Sequence, residues 1–134
     1  MSELFAFYGT LMSGLPPRAN RPDLAAHVEL VGPCLIPGML YDVGPYPALA
    51  LDDGVVTGEL WRTRSPEAVA VLDAWEGYEA EVEGVSPYLR RRLRLLEPEL
   101  DAWAYVWGRP VDGLVPIPDG DWRRHVQAAG AADA

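Results

Sequence analysis

Glu76 is the side chain in this sequence best placed for proton chemistry. Leu72 lies four residues before it and Val69 seven before, so helical spacing puts all three on one stripe. A carboxylate on a core-facing stripe, at the negative end of the helix macrodipole, is disfavoured in its charged form. Its pKa is expected to rise toward the range useful for proton transfer. The competing arrangement has Glu76 turned outward at the helix end, solvated or paired with an arginine. Asp73 and Glu79 read as solvated surface charges.

A second feature is Tyr8-Gly9-Thr10-Leu11. Glycine there lets the backbone turn sharply and aim successive N–H groups into one concavity, which suits a carboxylate or another anion; an ordinary turn has the same signature. Tyr105, between Trp103 and Trp107, is either core or a substrate contact. In Tyr88-Leu89-Arg90-Arg91-Arg92-Leu93-Arg94-Leu95, strand parity collects Arg90, Arg92 and Arg94 on one face, expected to be wet. Arg91 then falls among leucines and needs an acidic partner unless a bulge shifts the phase, so whether Arg90 or Arg91 faces a cavity stays open.

The remaining reactive types carry little. His27 and His125 lack the spacing of a nucleophile system and read as surface or capping residues. Cys34, the one cysteine, sits in the apolar run Leu30 to Ile36 and reads as a small buried hydrophobe. No Walker loop, dinucleotide glycine fingerprint or metal-binding histidine pair is present, so neither a cofactor nor a metal is expected.

These residues need elements to hold them. Leu4 to Tyr8 is an apolar run stopped by Gly9, a buried first strand. Ser13 to Pro22 is a surface excursion, with a helical turn at Asp23 to His27. Strand-like runs follow at Leu30 to Ile36, Met39 to Val43, Ala48 to Leu51 and Val55 to Trp61, punctuated by Pro37-Gly38, Gly44-Pro45 and Asp52-Asp53-Gly54, the last a hairpin signal. Ser65-Pro66-Glu67 then supplies an N-cap, a first-turn proline and a first-turn acid, predicting a helix from about Pro66 to Glu76 with Gly77 as its left-handed cap. Two more strands, Tyr88 to Leu96 and Ala102 to Trp107, precede a Pro-rich tail and a frayed end from Ala128. Many strands and one clear helix predict an α+β domain: a mostly antiparallel, curved or barrel-like sheet with a helix against one side.

The 134 residues are expected to form one domain, residues 1–134. A net charge of −9 repels a phosphate backbone, which argues against a nucleic-acid partner. No basic leader precedes Leu4, and no apolar run reaches the roughly 18 residues of a membrane span, so a cytoplasmic protein without a membrane partner is expected.

Taken in order, the motifs resemble the gamma-glutamylcyclotransferase-like family, in particular its gamma-glutamylamine cyclotransferase branch. The resemblance rests on Tyr8-Gly9-Thr10-Leu11-Met12, Gly38-Met39-Leu40-Tyr41-Asp42, Tyr46-Pro47-Ala48-Leu49 and Val56-Thr57-Gly58-Glu59-Leu60. Further along come Leu72-Asp73-Ala74-Trp75-Glu76-Gly77-Tyr78, Tyr88-Leu89-Arg90, Ala102-Trp103-Ala104-Tyr105-Val106 and Ile117-Pro118-Asp119-Gly120-Asp121-Trp122. Each piece is short, but the ordered set covers nearly the whole chain.

The resemblance implies a small mixed barrel whose cavity binds a gamma-glutamyl group. The loop from Tyr8 to Leu11, with Tyr105, would hold this small-molecule substrate, and Glu76 matches the family's catalytic glutamate. The implied reaction is attack of the substrate's α-amine on its own γ-carbonyl, releasing 5-oxoproline and an amine. Two other expectations stand beside it: removal of a gamma-glutamyl protecting group from a biosynthetic intermediate, and a non-catalytic binding module that keeps the cavity. Neither the leaving amine nor the oligomeric state is encoded in these motifs.

Overall fold

The computed structural model describes residues 2–9, 12, 26–44, 46–76, 78–79, 84 and 86–133. Along the chain they form β1 (Leu4–Phe7), β2 (Val28–Asp42), β3 (Pro47–Thr63), α1 (Ala68–Glu76), β4 (Tyr88–Arg94), β5 (Asp101–Trp107), β6 (Val115–Ile117) and α2 (Trp122–Asp133). The strands make one six-stranded sheet in the order β4-β5-β1-β3-β2-β6. Every pairing is antiparallel except β1 with β5.

The sheet curls because the chain leaving β4 comes back to β2. Leu35 donates its N–H to the Glu97 carbonyl at 2.7 Å, and Leu96 donates to the Leu35 carbonyl at 2.9 Å. That bridge ties the first strand of the order to the fifth and gives the α+β, barrel-like sheet the pattern predicts. Its interior is aromatic and aliphatic: Phe5, Ile36, Leu40, Leu49 and Val56 are inaccessible to solvent.

Two turn signals are overturned. Pro37-Gly38 and Asp52-Asp53-Gly54 interrupt no strand; they lie opposite each other inside one long β2–β3 ladder, where the register passes from Pro37↔Val55 to Met39↔Ala50. Facing irregularities let both strands bulge together, so the pairing resumes instead of ending. The hairpin connection falls at the Gly44-Pro45 signal: Val43 donates to the Tyr46 carbonyl at 3.1 Å and the Asp42 carboxylate accepts from the Gly44 N–H at 2.7 Å.

The C-terminal stretch is also more ordered than its composition suggests. Val115–Ile117 adds an edge strand to β2, and a second helix follows from Trp122 to Asp133, through residues expected to fray. Asp121 caps it, its carboxylate accepting the Arg124 N–H at 3.0 Å, while buried Trp122 and the His125–Asp42 pair at 2.7 Å dock it. His27 contacts Ser65 at 2.9 Å, so both histidines make structural contacts.

Helix α1 begins two residues later than predicted and ends as predicted, at Glu76. The Tyr78 N–H donates to the Asp73 carbonyl at 2.9 Å, a six-residue closure of the Schellman kind. Gly77, the predicted cap, lies outside the described residues, as do residues 13–25, which include most of the predicted turn at Asp23 to His27. Among the described residues, no helix is long and apolar enough to cross a membrane.

Candidate active site

Leu72, on the same stripe as Glu76, is 0% exposed and anchors α1 in the core. One turn on, Glu76 retains some open surface, while its carboxyl end is hemmed in by protein, and burial pushes its pKa up to about 8. The expected direction is therefore found, with loss of solvent as the cause.

Three tyrosines share this carboxylate's electrostatic field: Tyr8 beyond the end of β1, Tyr88 at the start of β4 and Tyr105 in β5. Their phenols are held far above the ordinary range, first by burial. Further causes are Tyr88 and Glu76 for Tyr8; Glu76 and Tyr46 for Tyr88; and the bond to Asp73, then Glu76, for Tyr105. At physiological pH all three are neutral.

Where their protons go is dictated by their partners. Tyr8 donates to the Tyr105 backbone carbonyl, Tyr88 to the Pro47 carbonyl at 2.6 Å and Tyr105 to the Asp73 carboxylate at 2.7 Å. Carbonyls and carboxylates can only accept. Each phenol proton is thus committed to a partner other than Glu76.

Gly9 is required for a different reason than the one its sequence context suggests. It does not adopt a positive φ; a side chain there would strike Pro47, with a Cβ only 2.7 Å from the proline ring. Its carbonyl accepts the Met12 N–H at 3.0 Å. Thr10 and Leu11, the other expected loop residues, lie outside the described residues. Glu76, Tyr8 and Tyr105 are brought together, and Tyr105 is both a core residue and a wall of this neighbourhood.

Sequence reasoning missed Asp73 and Tyr88, and left open whether Arg90 or Arg91 faces inward. Asp73 is no solvated surface charge: its Oδ1 accepts from Tyr105 and from Arg90 Nε at 3.0 Å, and the side chains of Asp73 and Arg90 are each 20% exposed. Arg90 belongs to the Tyr88 face of β4, so the expectation of a wet face fails at its inner end; Arg92 and Arg94, further along, are exposed and reach Asp101. The available signals were Asp73 one turn before Glu76 and Tyr88 two positions before Arg90. Cys34 is buried, its thiol pushed up to about 12 first by burial and then by Glu59, as befits an inert core residue.

Comparison with known proteins agrees with this architecture. A family model described as "Gamma-glutamyl cyclotransferase, AIG2-like" matches residues 5–124. The gamma-glutamylcyclotransferase family protein YtfP of Escherichia coli K12 is 39% identical over 83 residues, covering 62% of this chain and 66% of that relative, just under two thirds of its length. The solution structure of ytfP from Escherichia coli superposes with a TM-score of 0.60 at 31% identity, over 94% of this chain and 99% of that one. The crystal structure of an AIG2-like protein from Mus musculus shares the fold alone, with a TM-score of 0.68 at 20% identity over 87% and 86% of the two chains. With a family model running from the first strand into the second helix, the chain belongs to the gamma-glutamyl cyclotransferase, AIG2-like family.

Proposed function

We propose that the protein is a gamma-glutamyl cyclotransferase that closes a gamma-glutamyl amine, or a related gamma-glutamyl compound, to 5-oxoproline with Glu76 as the proton carrier. The observation that carries this reading is one buried carboxyl with a pKa pushed up to about 8, which shares its electrostatic surroundings with three phenols whose own protons are committed to other partners. Neighbours that give their protons elsewhere leave Glu76 free to take one from an ammonium, which is the ionic form of the substrate's α-amine in water.

The chemistry then needs one group. Ionised Glu76 takes a proton from the α-ammonium; the freed nitrogen attacks the γ-carbonyl, forming the ring C–N bond and an oxyanion. Collapse of that intermediate breaks the bond to the leaving amine, which receives a proton from the carboxylic acid; the surplus proton of the ring nitrogen then passes through the regenerated carboxylate to the amine, which departs as an ammonium. Glu76 ends ionised, and the products are 5-oxoproline and an amine. Because nucleophile and electrophile belong to one molecule, most of the acceleration comes from holding it folded in a near-attack shape. Backbone N–H groups of the Gly9 to Leu11 loop are proposed to bind the α-carboxylate or the oxyanion, with Tyr8 and Tyr105 lining the same side.

A panel of gamma-glutamyl amides, gamma-glutamyl peptides and glutathione, scored by mass spectrometry for 5-oxoproline, tests this directly. Turnover of any member supports the reading and identifies the acceptor class, a protected biosynthetic intermediate included. Ligand-induced thermal stabilisation with no product across the panel would instead support a binding module.

A further inference from the structure

We propose that Asp73 and Arg90 act together as a charge-balanced positioning clamp, holding the end of α1 that bears Glu76 against the β4–β5 ladder while cancelling each other's field beside it. The inference rests on the reading of Glu76 as the proton carrier.

One oxygen joins three elements. Asp73 Oδ1, on α1, accepts from Arg90 Nε at 3.0 Å and from the Tyr105 hydroxyl at 2.7 Å. Arg90 and Tyr105 are themselves register partners across β4 and β5. The same guanidinium lies 5.6 Å from the Tyr78 ring and 4.7 Å from the Trp103 ring. Asp73 precedes Glu76 by three residues and Tyr78 follows it by two, so Arg90 grips the chain on both sides of the carboxylate. The Tyr78 N–H to Asp73 carbonyl bond closes that segment on itself.

Stability does not explain such a pair. A half-buried ion pair repays its desolvation poorly, and an apolar pair of similar volume would pack as well. The charges make sense in terms of their neighbour. Tyr105 feels Glu76, Asp73 and Arg90 together, Asp73 raising its pKa and Arg90 lowering it, which places the pair in the same neighbourhood as the carboxylate. The phenols are neutral, and the paired charges of Asp73 and Arg90 sum to zero. Burial then decides the protonation of Glu76. Removing either partner exposes the field of the other.

The test compares pH profiles of kcat/KM and, independently of turnover, the carboxyl titration of Glu76 by carbon NMR, assigned by its loss in Glu76→Gln. Asp73→Asn keeps an acceptor but leaves the arginine uncompensated, and should move the titration down by about one pH unit. Arg90→Gln leaves the aspartate uncompensated and should move it up by a similar amount. The double variant should return it toward the wild-type position. Arg90→Lys keeps the charge while losing the planar fit, so it should leave the titration in place and lower kcat about tenfold. Single variants that stay folded by circular dichroism and shift the titration in the same direction, or not at all, would overturn the clamp. If Asp73→Asn does not fold, Arg90→Gln against Arg90→Lys decides alone: a rise in the first and none in the second is required. Should the wild type turn over no gamma-glutamyl compound, the cyclotransferase reading falls, and the NMR titration still judges the clamp.

Discussion

The phenol of Tyr8 donates its proton to the backbone carbonyl of Tyr105, joining the exit of the first strand to a residue 97 positions later. β1 and β5 are the parallel neighbours of the sheet, so this side-chain bond continues a contact made by their backbones. It ties the residue that leaves β1 to the strand that carries Tyr105.

Replacing Glu76 by Gln is expected to lower 5-oxoproline release by at least about 100-fold while leaving the fold intact, because an amide cannot take the ammonium proton. Turnover by the variant at the wild-type rate, on a substrate the wild type accepts, would remove Glu76 from the mechanism.

The raised pKa of Glu76 also has a sign in stability. Below pH ~4, folded and unfolded chains both hold this proton. Between there and about 8 the unfolded chain has released it and the folded one has not, so the folded state loses stability as pH rises through this window. Above about 8 the penalty is complete. Glu76→Gln does not titrate, and should therefore gain on the wild type by about 1–3 kcal/mol between pH 4 and 8, a figure discounted for partial exposure. Urea unfolding at several pH values reads it; a stability gap independent of pH would show that the carboxyl has an ordinary pKa. In kcat/KM the same group predicts activity rising with pH toward 8.

Tyr8→Phe removes the donor to a buried carbonyl and leaves that acceptor unpaired. The cost should be about 1–3 kcal/mol in unfolding free energy, with lowered turnover in the protein that remains folded. Unchanged stability together with unchanged turnover would mean that water or another donor serves the Tyr105 carbonyl equally well.

Gly120 tests the attachment of the C-terminal segment. It holds φ at +64°, its carbonyl accepts the Thr57 N–H at 2.8 Å, and an added Cβ would lie 2.2 Å from the Val55 carbonyl oxygen. Gly120→Ala should destabilise by about 2–4 kcal/mol through strain and backbone displacement, visible as a drop in Tm. A loss of only a few tenths would mean the segment shifts freely on β3.

Much of the fold was legible because its signals are local. The apolar run at β1, the Ser65-Pro66-Glu67 start of α1 and the alternation in β4 and β5 each report on a few neighbouring residues, and each element stands within a few residues of its predicted bounds. Pro37-Gly38 and Asp52-Asp53-Gly54 misled because a turn signal says only that the chain departs from regular geometry. Whether the departure ends a strand or makes a bulge depends on the strand opposite. Asp121 caps α2 by the same chemistry that Ser65-Pro66-Glu67 suggested for α1, but the small residues after it look like a fraying end until Trp122 is seen buried.

The site divides along the same line. The helical stripe of Val69, Leu72 and Glu76 already placed one carboxylate at the edge of the core, since spacing along a helix is a property of adjacent residues. Nothing in that spacing says which groups stand across from it. The three phenols with committed protons come from three separate strand regions, and the Asp73–Arg90 pair spans α1 and β4; only the closing of the sheet through Leu35 and Glu97 and the docking of α1 bring them to one place. Burial and ion pairing are properties of surroundings assembled from distant parts of the chain, and so the pKa of Glu76 was decided by the tertiary structure.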